Sequence, residues 1–133
     1  MELRGLYVRP AVEADAEVIN EVTHNAFTKY QQDLGRSDKV SALKETADDV
    51  RRDIAHKHVL VGMLDGRVIG SVRYEILPGQ DAPVAYLSRF GVLTEFQGSG
   101  LGGILLKRVE DECRACGARA IALHTSSRMT YLV

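Results

Sequence analysis

Between residues 90 and 103 the chain reads Phe90-Gly91-Val92-Leu93-Thr94-Glu95-Phe96-Gln97-Gly98-Ser99-Gly100-Leu101-Gly102-Gly103, and no other stretch restricts the fold as tightly. The run from Val84 to Leu93 reads as a strand. From Gly100 to Cys116, Leu101, Leu105, Val109, Cys113 and Cys116 recur at helical spacing as an inner stripe. Four glycines in the six residues 98–103 weaken a helix at its entry, which argues against a connection that binds nothing. The first amides of a helix have no partner within it and carry partial positive charge. Glycine lets an anion approach them closely, since no β carbon stands in the way. Strand, glycine turn and helix entrance together make a phosphate seat built from main chain.

The flanking sequence supplies the rest of one domain spanning residues 1–133. Leu6-Tyr7-Val8 is an opening strand stopped by Pro10, and Glu13 to about Tyr30 has helical periodicity through Ile19, Val22, Ala26 and Phe27. Gln31 to Ser37 reads as a loop. A second helix is expected over roughly Lys39 to Lys57, with Val40, Leu43, Ala47, Val50 and Ile54 on one face. Asp65-Gly66 is a hairpin turn between strands Val59–Leu64 and Val68–Ile76. Gly91 marks a bulge or the close approach of another backbone. After Gly117 stops the third helix, Ala120 to His124 is a short strand, with a helix start at Ser126 or Ser127. The order β-α-α-β-β-β-α-β predicts a mixed α/β domain: a mostly antiparallel central sheet flanked by helices, closed by one β-α-β crossover.

Composition removes several classes of function. Hydrophobic residues make up 45% and charged residues 26%, with a formal net charge of -1, so no basic face for nucleic acid is expected. The start, Met1 to Gly5, lacks a signal-peptide pattern, and no run is long enough to cross a membrane, which points to the cytoplasm. Cys113 and Cys116 have CxxC spacing, but no second pair completes a metal site. At i and i+3 of a helix they read as two buried thiols, and no metal is expected.

Gly98, Gly100 and Gly103 also satisfy GxGxxG, the pattern of a dinucleotide fold. That fold needs a following strand ending in an acid for the ribose; here the strand ends in His124, and no Asp or Glu follows Glu112. A different resemblance fits. Gln97-x-x-Gly100-x-Gly102 resembles the signature of the GNAT superfamily of N-acetyltransferases: Gln or Arg, two residues, Gly, one residue, Gly or Ala. Tyr7-Val8-Arg9-Pro10-Ala11 with Asp15-Ala16, the hairpin Leu64 to Ser71, and Leu123-His124-Thr125 are similar to other parts of that family. The resemblance covers nearly the whole chain.

The resemblance implies a GNAT-like fold, C-terminally short, that uses acetyl-CoA as acetyl donor to an amine. It implies that backbone of Phe90, Gly91 and Val92 holds the pantetheine arm. Gln97, Gly98, Ser99, Gly100, Leu101, Gly102 and Gly103 would hold the pyrophosphate, and an amide near Val92 would polarise the thioester. Family members often carry a glutamate four residues before the position of Phe90; this chain has Tyr86. Glu75 and His124 are then the candidates for a catalytic base, beside a chain of water, although each also reads as an ordinary surface or strand-end residue. The acceptor, a small molecule or peptide amine, is expected beside the first two helices, near Phe27, Tyr30 and Tyr74. Family members continue past the fifth strand with a helix bearing an acid tyrosine, then two strands; Tyr131 falls short of that tyrosine. The fifth strand is therefore expected to be an exposed edge, in a truncated chain or in a homodimer whose partner covers it. The alternative reading is a CoA-binding module without catalytic activity.

Overall fold

The computed structural model describes residues 5–34, 41–78, 81–125 and 128–132. In chain order these form β1 (Leu6–Pro10), a 3-10 turn, α1 (Ala16–Leu34), a second 3-10 turn, α2 (Ala47–His56), β2 (His58–Leu64) and β3 (Arg67–Leu77). They continue with β4 (Val84–Val92), a 3-10 turn (Thr94–Phe96), α3 (Leu101–Ala115), β5 (Ala120–Thr125) and β6 (Arg128–Leu132). All six strands lie in one sheet in the order of the chain. Every neighbouring pair is antiparallel except β4 and β5, which α3 connects in parallel. The expected mixed sheet with one crossover is present.

Helices cover both faces, so the central strands are apolar on both sides. On one face Leu60, Ile69, Val72, Ala85, Leu87 and Val92 pack under Leu101, Leu105, Val109 and Cys113 of α3. On the other, Val59, Val61, Met63 and Val68 pack under Ile19, Val22 and Val50 of α1 and α2. Each buried Val, Leu, Ile or Met among them contributes about 1.5–3 kcal/mol.

Four expectations are corrected. The second helix begins at Ala47, not near Lys39, because Thr46 and Asp49 form a reciprocal cap: Asp49 N–H donates to Thr46 Oγ1 at 3.3 Å and Thr46 N–H to Asp49 Oδ2 at 3.0 Å. Lys39 and Val40 lie outside the described residues. The first helix continues to Leu34, since Gln31 and Gln32 are good helix formers and no breaker precedes Gly35. Cys116 is exposed while Cys113 is buried: the helix ends at Ala115, and the turn carries Cys116 off the inner face. Beyond Thr125 comes the strand β6 rather than a helix, so β6, not the fifth strand, is the outer edge. Ser126 and Ser127 lie outside the described residues.

The seat of α3 is built from missing side chains. Gly62 and Gly70 face each other across β2 and β3. A β carbon on either would fall 2.8 Å or 2.9 Å from a methyl of Leu101, the first residue of α3. Leu101 is fully buried and has little room to retreat. Gly62→Val should therefore cost about 1–3 kcal/mol through overpacking. It should also lift the helix entrance, so urea unfolding and coenzyme A affinity are expected to fall together.

Candidate active site

β4 and β5 are paired only from Val84–Ala120 to Leu87–Leu123. Past that point β4 continues along β3 to Val92, while His124 and Thr125 of β5 pair only with β6. The sheet therefore parts between β4 and β5. On its other side β4 carries a bulge: Arg73 faces Ser88 and Ser71 faces Gly91, leaving Arg89 and Phe90 together opposite Val72. The bulge lies at Arg89, whose φ is 51°, and not at Gly91. Gly91 is instead where α1 comes close, since a β carbon there would stand 3.0 Å from that of Ala26.

Leu93 N–H donates to Ile69 O at 2.9 Å, which fixes the alternation of the strand end. The N–H and C=O of Val92 accordingly point away from β3, toward the parting. The Gln97 side chain donates to that Val92 carbonyl at 3.1 Å, tying the glycine loop to the mouth of the opening. Two further contacts hold the intervening turn. Thr94 N–H donates to Asn25 Oδ1 at 2.8 Å, and Arg67 pairs with Glu95 at 3.0 Å while lying 5.7 Å from the centre of the Phe96 ring.

At the entrance of α3, Ile104 N–H is the first to close on a carbonyl behind it, Gly100 O at 3.2 Å. Leu101 N–H lies 3.3 Å from Ser99 Oγ, so Ser99 serves its own loop. The amides of Gly102 and Gly103 precede Ile104 and have no helical acceptor. No acidic residue occupies the first turn, so nothing there offsets the positive end of the helix. A β carbon on Gly98, Gly100 or Gly103 would meet nothing within 4 Å, leaving open space over the loop backbone. Donors, positive potential and room together fit a pyrophosphate. The Phe90 ring packs toward Gly102 and Leu101 is buried, so only the backbone of these two is available to a ligand.

Glu75 and His124 lie on either side of the point where β4 and β5 part. Glu75 is half-buried opposite Tyr86, where β4 is still joined to β5. His124 is the first β5 residue beyond the junction, paired with Met129. Tyr74 does not face the first two helices: it is buried beside α3, with its hydroxyl donating to Glu112 and His58 stacked on its ring. Burial and the Glu112 carboxylate raise its pKa, so it holds its proton. Phe27 lies against Gly91; the Tyr30 side chain is outside the described residues. Burial pushes the Cys113 thiol up to about 11, which leaves no thiolate nucleophile there near neutrality. Among the described residues no cluster could hold a metal ion and no helix is long and apolar enough to cross a membrane.

One polar cluster was not foreseen. Arg73, with no exposed surface, grips Glu45 through two 2.7 Å hydrogen bonds and Asp53 through one of 2.8 Å. Arg89 Nε adds a third donor to Glu45 at 3.3 Å. Burial would lower the pKa of Arg73, but the two carboxylates outweigh it and hold it above the ordinary value. Asn20 and His24 of α1 reach the Glu45 carbonyl at 3.0 Å and 3.1 Å. The partners are 20 to 44 residues apart in sequence, so no local pattern announces them.

A family model for the GNAT acetyltransferases matches residues 23–130, and the chain belongs to that family. Solved structures agree on the fold. A GNAT family acetyltransferase from Brucella melitensis in complex with acetyl-CoA superposes with a TM-score of 0.70 at 27% identity, covering 91% of this chain and 76% of that one. PaiA N-acetyltransferase from Thermoplasma acidophilum, in complex with coenzyme A, gives 0.76 at 16% identity over 92% of this chain and 80% of its own. Glucosamine-6-phosphate N-acetyltransferase from Arabidopsis thaliana gives 0.65 at 15% identity, covering 92% and 83%. The chain matches no curated protein at a significant level.

Proposed function

We propose that the protein transfers an acetyl group from acetyl-CoA to an amine acceptor by direct attack within a ternary complex. The observation that carries this reading is the junction of two features: an anion-ready helix entrance, and a strand end whose Val92 groups turn toward the parting of β4 and β5. The donor would supply an activated thioester. Backbone of Phe90, Gly91 and Val92 would hold its extended arm as an added strand would be held. The amides of Gly102 and Gly103 would hold its pyrophosphate, with Gln97 fixing the loop against Val92. The Val92 amide would polarise the thioester carbonyl.

Freeing a lysine-like amine at pH 7 costs about 4.6 kcal/mol, against about 2 kcal/mol for expelling a thiolate of pKa near 8.5. Help for the amine therefore matters more. The Glu45 carboxylate already accepts from three N–H donors, which leaves it little room to meet an amine. Glu75, His124 and an ordered chain of water share the role of candidate. Pairing with a second copy would engage β6, the sheet edge at the end opposite β1.

Release of free thiol from acetyl-CoA with a panel of amines, and mass spectrometry of the acetylated products, test the reading. Turnover with at least one amine is expected. Tight coenzyme A binding without turnover would instead favour a binding module, the alternative that Tyr86 in the place of a glutamate supports.

A further inference from the structure

Among the described residues only two other than glycine have positive φ, and one of them, Asp65, lies in a hairpin turn. Arg89 lies within a strand, where an L side chain at φ 51° is strained. Glycine is the usual occupant of such a bulge position. The strained conformation has a consequence for the strand beyond it. Continued without the extra residue, the pairing of Arg73 with Ser88 would bring Val92 opposite Ile69. Val92, not Leu93, would then donate to the Ile69 carbonyl. The bulge shifts this alternation by one, giving Leu93 to Ile69 and turning the Val92 N–H toward the parting of β4 and β5.

A chain of contacts leads from the bulge to the helical face of the sheet. Arg89 Nε donates to Glu45 Oε2, and Glu45 is fixed in turn by both Nη atoms of buried Arg73. Glu45 lies just before α2, whose Asp53 also takes a hydrogen bond from Arg73. The segment between α1 and α2 thus grips the strained residue.

We propose that Glu45 and Arg89 are positioning residues: Glu45, anchored by Arg73, holds Arg89 in the bulge that presents the Val92 N–H to the opening. The effect on rate rests on the acetyltransferase reading, whereas the effect on the backbone does not.

Two substitutions at Arg89 separate strain from grip. Arg89→Met keeps the strain and loses the grip, whereas Arg89→Gly loses both and should keep the bulge unaided. The Arg89 side chain is 26% exposed, so both proteins are expected to fold. By amide hydrogen exchange followed by NMR, Val92 should exchange freely in the wild type and in Arg89→Gly. In Arg89→Met it should become protected while Leu93 loses protection. The kcat for thiol release should fall on the order of a hundredfold in Arg89→Met, the scale of losing one oxyanion donor, and stay near wild type in Arg89→Gly. Glu45→Gln should lower kcat in the arginine protein and change little in the Arg89→Gly background. Equal losses in Arg89→Gly and Arg89→Met would mean that the guanidinium acts on substrate directly, and would overturn the proposal. An unchanged Arg89→Met protein would overturn it as well. Should the wild type show no turnover with any amine, the acetyltransferase reading fails while the exchange pattern still decides this one.

Discussion

Gly100→Glu should weaken acetyl-CoA binding several hundredfold in a protein that remains folded. Gly100 caps α3 with φ 93°, a conformation that costs an L side chain about 1–2 kcal/mol. A β carbon there meets nothing within 4 Å, so the new side chain enters without collision and brings its carboxylate over the loop. A like charge about 4 Å from a phosphate costs about 4 kcal/mol at an effective dielectric near 20. Binding several hundredfold weaker, on the order of 3–4 kcal/mol, is therefore expected by calorimetry. Gly100→Ala carries the strain without the charge and should lose far less. Equal affinities for the glutamate and alanine variants would move the anion site away from this entrance.

Arg73→Met should be the most destabilising single change. It strips a fully buried guanidinium from two carboxylates and leaves Glu45 with the 3.3 Å contact to Arg89. Breaking a buried pair from one side costs about 3–5 kcal/mol, because the stranded charge keeps its desolvation penalty. The midpoint of urea unfolding reports the loss. Adding Glu45→Leu removes the stranded charge and should recover much of it, since buried ion pairs often contribute little net stability over apolar replacements. A double variant no more stable than Arg73→Met would show that the cluster contributes beyond its charges.

Local patterns predicted the fold where they were strong and failed where distant residues decided. The Asp65-Gly66 turn, the apolar strands on either side of it and the stripe Leu101, Leu105, Val109, Cys113 all sit where the sequence pattern puts them. The glycine-rich entrance was legible because its chemistry lies in consecutive backbone groups. Gly91 was open to two readings, bulge or close approach, and the bulge itself was not legible because its left-handed residue is an arginine, held by a carboxylate 44 positions earlier. The grip of Arg73 on Glu45 joins a strand to the segment before α2, a partnership that only folding reveals. The start of α2 was written in Thr46 and Asp49, but the apolar spacing of Val40, Leu43 and Ala47 outweighed that short signal. Cys116 was misjudged for a smaller reason: i, i+3 spacing ceases to define a face once the helix has ended.

Four residue pairs are all that stitch β4 to β5. Past them, each strand has a flank of main-chain groups that the other does not reach. An extended molecule lying along those flanks would continue the lattice of the sheet, so recognition and folding would draw on the same bonds. By mass action the loaded protein would then melt later than the bare one, by a margin that widens with ligand concentration. The hairpin of β5 and β6, fastened by the shortest seam in the molecule, would gain most from being clasped on that side.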